Sequence, residues 1–264
     1  MPLPPKVARA ALHFWEEPCI SGTRGSGTIF FSGCSLRCVY CQNYEISHLG
    51  GGEIITIEAL AQMMKRLEEE GAHNINFVNP THYIYAIKEA LKIYKPKIPL
   101  VYNSGGYDSA SVIEENIFDI YLMDVKYISP EKSLRYSGVS DYFSVASKAI
   151  LAAYKLKGAP VFDNEGIMQS GVIIRHLVLP QSTREAIAVT DWVKRNVPNV
   201  ILSIMAQYLP CGQADNFPEI NRVITKREYD KVVDYICLQG LENVFIQDRC
   251  SASENYIPDF NLGD

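Results

Sequence analysis

Most features that announce a class of protein are missing from this sequence. No apolar run approaches the length needed to cross a bilayer, and the first residues, Met1-Pro-Leu-Pro-Pro-Lys-Val7, hold no apolar signal-peptide core. These absences predict a cytoplasmic protein with no membrane partner. Basic charge is not in excess: 25 Lys and Arg against 30 Asp and Glu leave a net charge of −5, so there is no electrostatic footprint for nucleic acid. No internal repeat and no low-complexity tract is present. The seven cysteines are odd in number, and without a secretory segment a disulfide framework is not expected. The 16 Tyr are scattered along the chain, which reads as packing rather than as a stacking surface. What is there is ordinary: 264 residues, 47% hydrophobic and 21% charged, enough for a single α/β barrel-like domain with a sizeable core.

One stretch is not ordinary. Phe31 to Asn43 reads Phe-Ser-Gly-Cys-Ser-Leu-Arg-Cys-Val-Tyr-Cys-Gln-Asn, a Cys-x3-Cys-x2-Cys array of Cys34, Cys38 and Cys41. A β-like run, Thr28 to Phe31, leads in, and Gly33 permits a sharp turn before the first thiol. Three thiolates on one loop suit a soft metal centre. An iron–sulfur cubane held by three cysteines keeps one iron open for chemistry, as an open position marks catalytic zinc. The competing accounts are a structural zinc site, for which His48 is the nearest fourth ligand, and buried core cysteines at helical spacing. The lone Cys19, and the widely separated Cys211, Cys237 and Cys250, are left without a role.

Strands alternate with helices along the rest of the chain. A short amphipathic piece runs around Ala8 to Glu16. After the cysteine loop, Gly50-Gly51-Gly52 marks a link. A helix opens near Thr56, carries Ile57, Leu60, Met63, Met64 and Leu67 on one face, and ends at Gly71. The predicted strands that follow are Asn74–Val78, Leu100–Tyr102, Ile120–Met123, Val172–Leu179, Val200–Met205 and Val244–Ile246. The predicted helices are Tyr83–Tyr94, Ala110–Glu115, Pro130–Tyr136, Tyr142–Leu156, one through Arg195 and one opened by Thr225. Ser182-Thr-Arg-Glu185 carries a capping-box signature, as does Thr225 with Glu228. An irregular tail, Cys250 to Asp264, ends the chain. This order implies right-handed βαβ units and a parallel sheet, with about six units before the last helix. It suits a partial, open (β/α)6 barrel. Ligand sites in such folds gather at the carboxyl ends of strands, where the sequence sets Asn79, Thr81, Asn103, Ser104, Asp124, Lys126, Gln207 and Tyr208, with Arg175 and His176 within a strand. Together these make a ring of polar groups suited to a zwitterionic nucleoside cofactor.

The loop Cys34-Ser-Leu-Arg-Cys-Val-Tyr-Cys-Gln-Asn43 strongly resembles the cluster loop of the radical S-adenosylmethionine (SAM) superfamily. More narrowly, Glu17 through Asn43 looks like pyruvate formate-lyase activating enzymes and their uncharacterised relatives. The resemblance covers roughly Thr28 to Gly212. It implies an N-terminal extension over 1–27, a radical SAM core over 28–212, and a C-terminal helix, strand and tail over 213–264. It also implies a 4Fe–4S cluster on Cys34, Cys38 and Cys41 whose unique iron chelates SAM. Tyr40 would then pack against adenine. Asn79 and Thr81 stand where those enzymes bind the methionine amino group through Gly-Gly-Glu; Gly51-Gly52-Glu53 matches that motif only in letters, since it precedes the first helix. Asn103-Ser104 and Leu122-Met-Asp124-Val-Lys126 match the segments that hold a monovalent cation beside the SAM carboxylate, which places a cation near Asp124. Arg175 lies where the family has an Arg close to SAM, and Tyr208 where it has a group near the ribose. The implied activity is reductive cleavage of SAM to a 5′-deoxyadenosyl radical that takes a hydrogen atom from a substrate. A flavodoxin or ferredoxin would donate the electron, and the substrate would be a glycyl radical enzyme, another peptide or a small molecule. The alternative of a different class is a non-catalytic metal-binding interaction protein.

Overall fold

A computed structural model of the chain describes residues 3–248. The elements in order are β1 (Lys6–His13), α1 (Pro18–Ser21), β2 (Ser26–Phe31), α2 (Tyr44–Ser47), β3 (Glu53–Ile54), α3 (Ile57–Glu69), β4 (Ile75–Val78), α4 (Ile84–Ile93) and β5 (Leu100–Ser104). Next come α5 (Ala110–Glu114), β6 (Ile120–Asp124), α6 (Pro130–Ser137), α7 (Tyr142–Lys157), β7 (Val161–Phe162) and β8 (Met168–Leu177). The last are α8 (Thr183–Asn196), β9 (Ile201–Met205), α9 (Lys226–Gln239) and β10 (Val244–Ile246). They build one sheet in the order β10-β9-β8-β6-β5-β4-β2-β1-β3, with β7 paired to β8. From β2 through β10 the neighbours run parallel, while β1 lies antiparallel on β2. The two edges do not meet, so the sheet is a partial, open barrel.

The parallel strands are covered on both faces, as their unbroken apolar runs require. Outside them, Leu60, Met64, Ile87, Ile150, Val189 and Val232 of the helices pack on Ile29, Phe77, Tyr121 and Ile174 of the strands. Inside, the registers stack inward-facing residues in layers. Phe30, Val78, Asn103, Leu122, Ile173 and Ile201 lie in one, and Asp124, Arg175, Ser203 and Phe245 in the next. Cys19 and Ile20 of α1 fill the lower end of the barrel against Val101, Ile120, Leu122 and Ile173, and Asn74 Nδ2 donates to the Ile20 carbonyl at 2.8 Å. The segment before β2 is therefore the floor of the barrel.

Two expectations need correction. The amphipathic piece read around Ala8 to Glu16 instead falls largely in strand β1 (Lys6–His13); pairing with β2 over six register positions overrides its weak local preference. The capping box at Ser182 does not form. Ser182 makes no cap hydrogen bond, and Glu185 Oε2 instead accepts from the Ile128 and Ser129 amides at 2.7 and 3.1 Å. The second capping box, Thr225 with Glu228, is present. The irregular tail expected over Cys250 to Asp264 lies outside the described residues.

Candidate active site

Gly33 stands at φ +89°, which a side chain would strain, and turns the chain from β2 into the cysteine loop. The loop has no regular structure; its neighbours hold it. Val39 donates its amide to the Tyr136 carbonyl at 2.9 Å, and its own carbonyl accepts from the Gln213 amide at 2.6 Å. The Cys211 thiol donates to the Tyr40 carbonyl at 3.1 Å. Cys38 Sγ lies 3.0 Å from Ser137 Oγ, and Cys41 Sγ 3.2 Å from Ser47 Oγ. His48 is turned to Ser47 at 2.8 Å and stacked on Tyr44, so its ring is already engaged.

Cys34, Cys38 and Cys41 all line one cavity of about 400 Å³, together with Tyr40, Asn79, Asn103, Ser104, Asp124, Lys126 and Arg175. Ten of the twelve residues singled out in the sequence, the three thiols and Tyr40 among them, thus line a common wall. Thr81 and Tyr208 do not. The Thr81 hydroxyl is spent on Asp108 Oδ1 at 2.5 Å, in a small recess beside the cavity. The Tyr208 hydroxyl donates to the Ile220 carbonyl at 2.8 Å, and its ring stands edge-on behind Tyr40. Tyr40 is fixed in turn by its hydroxyl, 2.6 Å from that of Tyr127.

Arg175 organises the polar wall. Its Nε donates to Asp124 Oδ1 at 2.9 Å, Nη1 to Glu16 Oε2 at 2.9 Å and Nη2 to Asn103 Oδ1 at 2.7 Å. Lys126 Nζ donates to the other Asp124 oxygen at 2.7 Å. Burial opposes the charge on Asp124, but Lys126 and Arg175 outweigh it and hold the carboxyl below its ordinary range. Burial likewise opposes the charge on Arg175, which Asp124, Glu16 and Glu17 outweigh. The buried anion that a strand Arg requires is thus supplied by the protein itself. Both Asp124 oxygens are taken, which leaves the monovalent cation expected there without support.

The residues missed in the sequence are Glu16 and Glu17. Glu16 Oε1 accepts from Asn76 at 3.1 Å and from Asn103 at 3.0 Å, tying the floor to β4 and β5. The only signal was an acidic pair ahead of Pro18, and nothing local says that it meets Arg175, 159 positions away.

Among the described residues no group of three or more His, Cys, Asp or Glu is converged as a ready metal shell. The donor set nevertheless fits a cluster held by three cysteines. Burial pushes the Cys38 thiol up to about 12 and the Cys34 thiol up as well, so these groups keep their protons unless a metal supplies the charge that removes them.

The family model described as the Radical SAM superfamily matches residues 28–202. An uncharacterised protein of Methanocaldococcus jannaschii is 30% identical over 245 residues, which is 89% of this chain and 68% of that protein. SuiB of Streptococcus suis, solved bound to S-adenosylmethionine, superposes with a TM-score of 0.53 at 14% identity, over 82% of this chain and 48% of SuiB. Methylornithine synthase superposes with a TM-score of 0.55 at 13% identity, over 83% of this chain and 70% of that one. At such identities the two structures share the fold alone, and this chain spans about half the length of SuiB.

Proposed function

The chain belongs to the radical SAM superfamily, and from that premise we propose that it is an enzyme that cleaves SAM reductively at a 4Fe–4S cluster held by Cys34, Cys38 and Cys41. The observation that carries this reading is that all three thiols open on the same cavity as the Asp124–Arg175–Lys126 wall. The cluster, when bound, supplies the electron that breaks the sulfonium C–S bond of SAM, yielding methionine and a 5′-deoxyadenosyl radical for hydrogen abstraction.

The chain's own residues bind and orient. Asn79, at φ 56° after β4, offers hydrogen bonds at the rim, whereas the Ser104 hydroxyl, at the end of β5, is already given to Asp108 Oδ2 at 2.5 Å. Arg175, Asp124, Lys126 and Asn103 cross-link β5, β6 and β8 into a wall that needs little reorganisation when a charged cofactor arrives. The Tyr40 ring offers a fixed flat face for a base. The Ile20 plug beneath excludes water from the far end. Within this class the motif favours activating-enzyme-like chemistry on a glycyl radical enzyme, with flavodoxin or ferredoxin as the electron donor. SuiB is solved with a precursor peptide, and a peptide substrate is the variant of the reading that its likeness adds.

Anaerobic reconstitution tests the reading. The expected outcome is bound iron and sulfide, and SAM cleavage on adding dithionite. Replacing any one of Cys34, Cys38 or Cys41 by Ala is expected to abolish both. Stoichiometric zinc without SAM turnover, or full iron and sulfide in a Cys→Ala variant, would overturn it.

A further inference from the structure

The carboxylates around the cavity are not alike. Glu16 uses both oxygens, on Asn76, Asn103 and Arg175, and Asp124 uses both, on Lys126 and Arg175. Glu17 does not. It lines the same cavity and is only 7% exposed, yet its Oε2 has no hydrogen-bond partner. It is the N-cap residue of α1, but its side chain makes no cap hydrogen bond, so its own helix does not account for a buried acid at this position. A buried polar group without a partner is costly and rare.

Charge points the same way. The carboxylates of Glu16, Glu17 and Asp124 face two cations, Arg175 and Lys126, among the lining residues. His13 adds no charge near neutral pH, because burial, with Arg9 and Arg175 nearby, lowers its pKa to about 4. With all three ionised, one negative charge would be unmatched, and Glu17 is the carboxylate with an oxygen free to take a counter-charge. Burial raises the Glu17 carboxyl, with Glu16 adding to the rise, against the pull of Arg175 and hydrogen bonds from its own backbone and from Ser203, so a cation placed beside it would favour its ionised form. Glu17 belongs to the floor, whereas the three thiols follow the carboxyl end of β2. Trp15, Pro18, Phe245 and Ile246 line the cavity with it, giving the acid apolar surroundings suited to an aliphatic stem.

We propose that Glu17 is the substrate anchor of this cavity, receiving a primary ammonium or amidinium group whose aliphatic stem lies along Trp15, Pro18, Phe245 and Ile246. The ion pair forms on the ionised carboxylate, any proton it carries passing to solvent, and the neighbouring carbons of the substrate are held between the floor and the cysteine end. That such a substrate is then attacked by a radical rests on the proposed function; the binding itself does not, since it needs no cluster.

The test uses the full chain and n-butylammonium as the probe, with 1-butanol and butyrate as neutral and anionic isosteres. Calorimetry at pH 7 in two buffers of different ionisation enthalpy, which reads out any proton released, is expected to show butylammonium bound about tenfold tighter than 1-butanol. In Glu17→Gln the preference should fall to about twofold or less. Should Glu17→Gln fail to fold, wild-type chain is treated with dicyclohexylcarbodiimide, which labels buried protonated carboxyls. Labelling of Glu17 blocked by butylammonium and not by 1-butanol supports the assignment. Equal binding of the isosteres, preference for butyrate, or a preference unchanged in Glu17→Gln overturns it. So does Glu17→Gln weakening SAM while sparing the amine, which would assign the excess charge to the sulfonium. Absence of SAM cleavage with butylammonium binding intact would remove the proposed function and leave the anchor standing.

Discussion

Glu16→Gln is the sharpest perturbation of the polar wall. Glu16 and Arg175 are 2.9 Å apart with side chains only 9% and 16% exposed. Removing one partner of a buried pair costs about 3–5 kcal/mol. Here Arg175 keeps Asp124 and Asn103, and the Gln carbonyl can still accept from Asn76 and Asn103, so the cost falls to the bottom of that range or below, about 2–3 kcal/mol. At about 2–4 °C per kcal/mol for a chain of this size, the midpoint should fall by roughly 4–12 °C. The comparison is Lys226→Met, which breaks the Lys226–Asp230 pair on α9, 2.5 Å apart but 75% and 43% exposed. That loss should be about 0.5 kcal/mol and should vanish in high salt. Urea unfolding of both variants at pH 7 decides the matter. If Glu16→Gln costs no more than Lys226→Met, the floor is not held by this ion pair and the account of Glu16 is wrong.

Two further outcomes follow from other parts of the site. Gly106 has φ +81°, and a Cβ there would run into the Asp124 carbonyl and approach the Tyr142 hydroxyl. Gly106→Ala should therefore cost about 2–4 kcal/mol from the strained backbone and the clash together, read by thermal unfolding, and a neutral substitution would contradict the packing described. His13 has a folded pKa of about 4, lowered first by burial and then by Arg9 and Arg175, against about 6.5 when unfolded. Between those values the unfolded chain binds more protons, so this contribution is complete above about pH 6.5 and is lost as pH falls towards 4. After discounting for partial exposure, about 1–2 kcal/mol should disappear over that window in the wild type and not in His13→Gln. Identical pH profiles would show that His13 is not held neutral.

What could be read in advance was whatever repeats locally. The six strands with unbroken apolar runs, the helices with one apolar face and the turn at Gly33 depend on neighbours a few residues apart, and each is found near its expected place. Strand ends then named most of the cavity wall, because a parallel sheet collects them on one side. Thr81 and Tyr208 show where that rule stops. It places a residue near the rim without saying which partner its hydroxyl will take, and Asp108 and the Ile220 carbonyl took these two.

By itself the sequence determined the thiol array of the cysteine loop and the alternation that makes an open barrel, since thiol spacing and hydrophobic period are properties of short stretches. Only the tertiary structure decided that residues 6–22 are a strand and a barrel floor, that Glu16 is the counter-charge of Arg175, and that Glu17 is buried with one carboxyl oxygen unpartnered. A buried charge finds its partner through space, at whatever distance along the chain the fold brings together, and composition and period carry no record of that meeting.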